Sequence, residues 1–184
     1  MKALLLSALL AVAAAAPAGA AQWAVEPGTS LLSFTGSQSG MSFDGRFTRW
    51  RAEIDFDPAR PSAGHVLAVI DMKSAVTGDD SRDQSLPQKD WFDQRSFPEA
   101  RFEAREFRPL GGNAFEAPGE LTIRGVSKPV ALRFTLDIDG PLAHAKGRLV
   151  IMRNDFGVGQ GPWSSDQLVG LAVGVAFDVT ARRQ

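Results

Sequence analysis

The stretch PVALRFTLDID, residues 129–139, alternates strictly: Val130, Leu132, Phe134, Leu136 and Ile138 fall on one side, and Ala131, Arg133, Thr135, Asp137 and Asp139 on the other. A period of two places alternate side chains on opposite faces of a pleated strand, so this segment reads as an antiparallel strand with one wet face. The pattern recurs upstream in AFEAPGELTIR (114–124), where Phe115, Ala117, Gly119, Leu121 and Ile123 share a face. It recurs downstream in VGLAVGVAFDVTARR (169–183), with Leu171, Val173, Val175, Phe177 and Val179 together. Further strands are expected near Trp23, at 30–38, 43–57, 65–72, 101–110 and 142–153, eight or nine in all. Pro27-Gly28, Pro58, Pro61, Gly111-Gly112-Asn113 and Gly140-Pro141 supply the turns. The connections are too short for parallel crossovers, which predicts an antiparallel meander.

Strands with one apolar face must stack on a second sheet or close into a barrel. The pattern favours an all-β, eight-stranded antiparallel barrel over a sandwich. At eight strands the interior is either filled by side chains or holds one slender ligand. Gly119, Gly147 and several alanines on the expected inner face suggest an underfilled lumen, although small residues also accommodate strand bends and close packing.

Residues 1–21, MKALLLSALLAVAAAAPAGAA, join one early cation, Lys2, to an apolar run and small residues at Ala18, Ala20 and Ala21. This reads as a secretory signal peptide cut after Ala20 or Ala21, too short and Ala-rich to favour a membrane span. Residues 22–184 then form one exported domain, expected in the periplasm. The chain has no cysteine, which excludes disulfides, Fe–S clusters, thiolate zinc sites and a cysteine nucleophile. Without Lys2, 19 basic residues face 21 acidic ones. No clustered basic surface is evident, so nucleic acid is not an expected partner.

One stretch breaks the alternation: TGDDSRDQSLPQKDWFD, residues 77–93, holding Asp79, Asp80, Asp83, Asp90 and Asp93. It is expected to be a short helical excursion near residues 79–93, with Asp79 or Asp80 as N-cap and Pro87 interrupting the run. Asp79, Ser81 and Asp83 match positions 1, 3 and 5 of an EF-hand loop, but Gln84 replaces the glycine at position 6 and Asp90 the glutamate at position 12. An acid/base pair among these aspartates is a second reading. The favoured one is structural, with Arg82, Lys89 and Arg95 as ion-pair partners. His65 and His144 read as surface residues, with no HxH or HExxH spacing. DFGVGQG, 155–161, lacks the Gly-Lys-Ser/Thr ending of a phosphate loop and reads as a turn after a strand. Arg124, Lys128, Arg153, Arg182 and Arg183 lie near strand ends, where a mouth cation can bind an anionic headgroup or merely decorate a rim.

Several of these segments, in order, resemble the YceI-like family of bacterial exported lipid-binding proteins. The carriers are QWAVEPGTSLLSFTG (22–36), Gly45 through Asp57, TGDDSRDQSLPQKDWFDQRSFPEARFEA (77–104), GELTIRGVSKPVAL (119–132) and MRNDFGVG (152–159). Trp91 stands where the family pattern has Phe, and Glu26 where it has Asp. The resemblance implies an extended, lipocalin-like barrel around a polyisoprenoid or prenylquinone chain, with no enzymatic activity and no cofactor beyond that lipid. It leaves open transient membrane contact and a homodimer. Candidate lipid contacts are Phe34, Ile70, Phe102, Leu121, Ile123, Leu132, Phe134, Leu149, Ile151, Val173, Val175 and Phe177. Candidate mouth or structural residues are Arg82, Asp83, Leu86, Asp90, Trp91, Phe92, Arg153 and Asp155. Two other readings stay open at this point: an interaction or stress-related module with a packed core, and a lipid-acting enzyme using the aspartates of 79–93.

Overall fold

A computed structural model describes residues 21–184; the expected signal peptide, apart from Ala21, lies outside the described residues. The chain opens with β1 (Gln22–Val25), interrupted by a 3-10 turn at Pro27–Thr29 before it resumes as β2 (Leu31–Gln38). A hairpin leads into β3 (Met41–Phe47) and β4 (Trp50–Asp55), which a kink at Thr48-Arg49 separates. Then follow β5 (His65–Asp71), the two-residue β6 (Ala75–Val76), and the helix α1 (Asp80–Ser85). The second half runs through β7 (Glu99–Ala104), β8 (Arg108–Gly111), β9 (Ala114–Ile123), β10 (Val126–Asp139), β11 (Leu142–Met152) and β12 (Ala172–Arg183).

Hydrogen bonding runs β1-β4-β5-β7-β9-β10-β11-β12 and returns from β12 to β1, which closes an eight-stranded antiparallel barrel. Closure removes the sheet edge that an open sheet of this size would expose. The extra strands arise where the chain bends. The expected single strands at 43–57 and 101–110 each break in two, the first because β3 must pair with β2 and β6 while β4 pairs with β1 and β5. At Thr48-Arg49 the backbone turns to Ser74 and Asp71: the Thr48 N–H donates to Ser74 O, and the Asp71 N–H to Arg49 O.

Two apolar clusters occupy the ends of the barrel. At one end Trp23, Phe56, Phe107 and Phe115 cluster, with Phe56 edge-on to Phe107 at 4.8 Å and to Phe115 at 5.5 Å between ring centroids. The Trp23 indole N–H donates to Phe56 O at 2.9 Å, so the polar atom of this buried ring is satisfied. At the other end Ile70, Met72 and Ala100 gather Leu32, Phe47, Trp50 and Phe92 around them.

The inward-facing glycines seat aromatic rings, which is the close-packing role open to Gly119 and Gly147, so they are not themselves gaps in the lumen. Phe177 lies across Gly147, its direct cross-strand partner, and Phe34 lies likewise across Gly45. Gly119 receives the ring of Phe102. A Cβ at any of the three would come within 3.0 Å of ring atoms, so only glycine lets the phenylalanine lie flat along the wall.

Candidate functional site

The inner faces of these strands enclose a cavity of about 320 Å³. All twelve candidate lipid contacts line it: Phe34 from β2, Ile70 from β5, Phe102 from β7, Leu121 and Ile123 from β9, Leu132 and Phe134 from β10, Leu149 and Ile151 from β11, and Val173, Val175 and Phe177 from β12. Their common placement follows from register. Val175 pairs with Leu149 on one side and Phe34 on the other, so three strands present apolar side chains at one level. Phe34, Ile70 and Phe102 are buried, whereas Leu132, Phe134, Leu149 and Val175 point inward yet stay only half-buried. Inward side chains of a filled barrel would be covered by neighbours; these border open space.

Sequence reasoning did not select several wall residues. Trp50, Ala52 and Ile54 from β4 and Val66 and Ala68 from β5 also line the cavity, and their alternation was already readable in the sequence. Phe156, Val158 and Val169 do so from a loop, where no periodic signal marks them.

The excursion at 77–98 lies over one end. Only Asp80–Ser85 is helical, shorter than the expected 79–93, because Pro87 and a run of turns follow. Asp79 caps the helix, accepting from the Arg82 N–H at 2.9 Å; that bond holds the Asp79 carboxyl below its ordinary value. Asp83 Oδ1 accepts from both the backbone N–H and the hydroxyl of Thr77, each at 2.7 Å. Arg82 donates to Thr77 Oγ1 and Gln38 Oε1, and its guanidinium sits 4.5 Å from the centre of the Phe43 ring. Leu86, Trp91 and Phe92 turn inward onto the cavity. The Asp90 carbonyl accepts from the Gly159 and Gln160 N–H groups at 2.8 Å, tying the excursion to the loop after β11. No carboxylate is among the residues lining the cavity, so Asp79, Asp83, Asp90 and Asp93 do not converge there as an acid/base pair. Among the described residues no cluster of three metal-ligating side chains is present.

Replacing Asp83 with asparagine is expected to cost about 1 kcal/mol in denaturant unfolding, since the amide oxygen still accepts both bonds without charge assistance. Asp83→Ala removes the acceptor and is expected to cost about 2 kcal/mol. Equal stability of both variants with the parent protein would contradict the role of Asp83 as a tie.

Arg153 is 3 % exposed and, among the described residues, is the only charged one on the cavity wall. Its five N–H groups meet five backbone carbonyls: Nε donates to Gly170, Nη1 to Val158 and Gly159, and Nη2 to Ser165 and Val169, at 2.7–3.4 Å. Its guanidinium also lies 5.5 Å from the centre of the Trp91 ring. Burial pushes the group below the ordinary arginine value, and the ring of carbonyl dipoles replaces its lost hydration. Arg153 therefore has no donor left for a headgroup, and the mouth-cation expectation does not hold for it. Arg124 donates to Lys89 O near the same end, while Arg182 pairs with Glu26 at 3.0 Å and Arg183 lies over Trp23 at the other, so the basic residues do not converge. Asp155 is exposed on the 3-10 turn Arg153–Phe156.

Residues 23–181 match the YceI-like domain. The chain belongs to the YceI-like family. Among YceI-like relatives, a UPF0312 protein of Pseudomonas savastanoi pv. phaseolicola is 30 % identical over 151 residues, covering 78 % of each chain. BcnA of Burkholderia cenocepacia superposes with a TM-score of 0.82 at 31 % identity, over 85 % of this chain and 98 % of that one. A polyisoprenoid binding domain from Saccharophagus degradans shares the fold, with a TM-score of 0.70 at 16 % identity over 88 % and 98 % of the two chains. The YceI-like barrel is thus the common scaffold.

Proposed function

We propose that this YceI-like protein sequesters or carries a polyisoprenoid lipid, such as a long prenyl compound or prenylquinone, in the periplasm, with the chain lying in the barrel. The observation that carries this reading is the cavity of about 320 Å³ whose lining side chains are apolar except for Arg153, itself saturated by backbone carbonyls. Apart from tryptophan indoles, the wall presents no free polar side chain, which matches a chain without polar groups. At about 0.8 kcal/mol per buried methylene-sized group, several prenyl units gain well over ~10 kcal/mol before association and ordering costs. Among the described residues the lining holds no nucleophile, general base, histidine or carboxylate, which fits a binding protein better than an enzyme. The half-buried inward residues count against the packed-core alternative. The signal-like residues 1–21 support export.

The test is to purify the protein from its host, extract it with organic solvent and identify bound lipid by mass spectrometry, alongside uptake of a labelled isoprenoid by delipidated protein. A prenyl chain at near-stoichiometric ratio is expected. No recovered lipid and no uptake overturns the proposal.

A further inference from the structure

The barrel wall is split where β1/β2 faces β3/β4. Pairing ends at Ala24↔Glu53 and resumes only at Leu32↔Phe47. Between these points the 3-10 turn Pro27–Thr29 bulges from one margin, and the Thr48-Arg49 kink draws the other away toward Ser74 and Asp71. Each margin is anchored on its far side: Glu26 N–H donates to Thr180 O, the Ser30 hydroxyl bonds to Thr180, and Trp50 to Ala52 pair with Ala68 to Ile70. Beyond the end of the β1/β4 ladder, no strand pairing or other backbone hydrogen bond joins 26–31 to 48–51 among the described residues.

Outside this split lies a surface groove of about 830 Å³. Trp23, Phe47, Trp50, Ala52 and Ile54 line both the groove and the inner cavity, so a single layer of side chains separates them. A second break in the ladder, between β10 and β11 beyond Arg133↔Arg148, differs in kind. There the turn Arg153–Phe156 contacts both strands, and Phe156, 2 % exposed, fills the space. Among the described residues no such turn plugs the β1/β2–β3/β4 split.

We infer that this split is a lateral portal: the apolar chain crosses the wall between Phe47 and Trp50, and the polar head of the lipid remains in the outer groove. Backbone hydrogen bonds do not have to break for the margins to part, because none spans them, whereas passage through any paired section would disrupt a ladder. The groove offers the head hydrogen-bonding partners that the lumen lacks. Unlike the Trp23 indole, the Trp50 N–H has no acceptor among the described residues, and Thr48 and Gln184 stand nearby. Its charges are mixed, Arg46 and Arg51 against Glu53 and Asp55, so it suits an uncharged, hydrogen-bond-accepting head better than a phosphorylated one.

This inference rests on the carrier reading, and the cysteine-free chain makes the two separable. Three single-cysteine variants are modified with a bulky maleimide: Leu31→Cys on the groove, Val150→Cys beside the β10–β11 break, and Leu168→Cys on the loop at the barrel end, positions 45 %, 68 % and 51 % exposed. Uptake of a dansyl-tagged farnesyl ether is followed by stopped-flow fluorescence, with the tagged diphosphate as comparison. Modification at 31 is expected to slow uptake of the ether at least tenfold, while modification at 150 or 168 leaves the rate within twofold and the diphosphate binds more weakly. Equal rates at all three sites, or slowing at 150 or 168 instead of 31, overturns the portal. Tighter binding of the diphosphate overturns the assignment of the head. If the unmodified protein takes up neither probe, the carrier reading fails and the portal with it.

Discussion

Val175→Glu is expected to destabilise the barrel by roughly 3–5 kcal/mol at neutral pH and to abolish retention of a prenyl ligand. Val175, the fourth residue of β12, has Phe34 and Leu149 as cross-strand neighbours, all three on the cavity wall. Among the described residues the only charged side chain on that wall, Arg153, already has each N–H on a carbonyl. A carboxylate introduced there loses hydration without gaining a partner, which raises its pKa by roughly 2–4 units at about 1.36 kcal/mol each. Because the folded value lies above the unfolded one, the penalty is absent below the unfolded pKa near ~4.3, grows as pH rises past it, and levels off above the folded pKa. Denaturant unfolding at pH 4 and pH 7 reads this directly: the deficit of the variant should shrink at the lower pH. Thr135→Glu, on the exposed outer face of β10, is the control and should stay within about 0.5 kcal/mol of the parent. Matching behaviour of the two variants would show that the inner and outer faces have been assigned wrongly.

Arg153→Met is expected to cost about 3–5 kcal/mol, because it leaves buried carbonyls at Val158, Gly159 and Val169 without their donor. For a domain of this size the melting temperature should fall on the order of 10 °C. Arg153→Lys should recover little of the loss, since an ammonium has three donors on a point and cannot span five carbonyls held by a planar fork. The loss should be local as well as global. Limited proteolysis is expected to cut the variant within 157–170, the loop those bonds hold together, before the strands are attacked. A methionine variant within 1 kcal/mol of the parent, with an equally resistant loop, would show that the carbonyl ring is incidental to stability.

The strands and their inner faces were legible in the sequence because alternation is a local property. Once β10 is read as a strand from Val130 to Ile138, its wall residues follow, and the same holds for β9 and β12. What a local pattern cannot register is where the chain changes partner. The kink at Thr48-Arg49 is produced by hydrogen bonds to Ser74 and Asp71, more than twenty residues away, so 43–57 read as one strand. The role of Arg153 was similarly hidden. A basic residue at a strand end resembles a rim cation, and only the fold of 158–170 around it reveals five carbonyls aimed at one guanidinium. The aspartates of 77–93 were partly readable: a cap at Asp79 has a sequence signature, but the Asp83–Thr77 clasp depends on the turn at Gly78, with φ at 75°.

The flat-lying rings at Gly45, Gly119 and Gly147 make the calibre of the bore a property of residue pairs and not of strand number. A methyl group added at Gly45 meets only the Phe34 ring and tips it into the channel at that level, whereas at Gly119 and Gly147 it also meets the carbonyl oxygen of Glu103 or Arg133, so the wall itself must shift. Barrels with the same eight strands can thus differ in bore width at a single level through an exchange at a position such as Gly45.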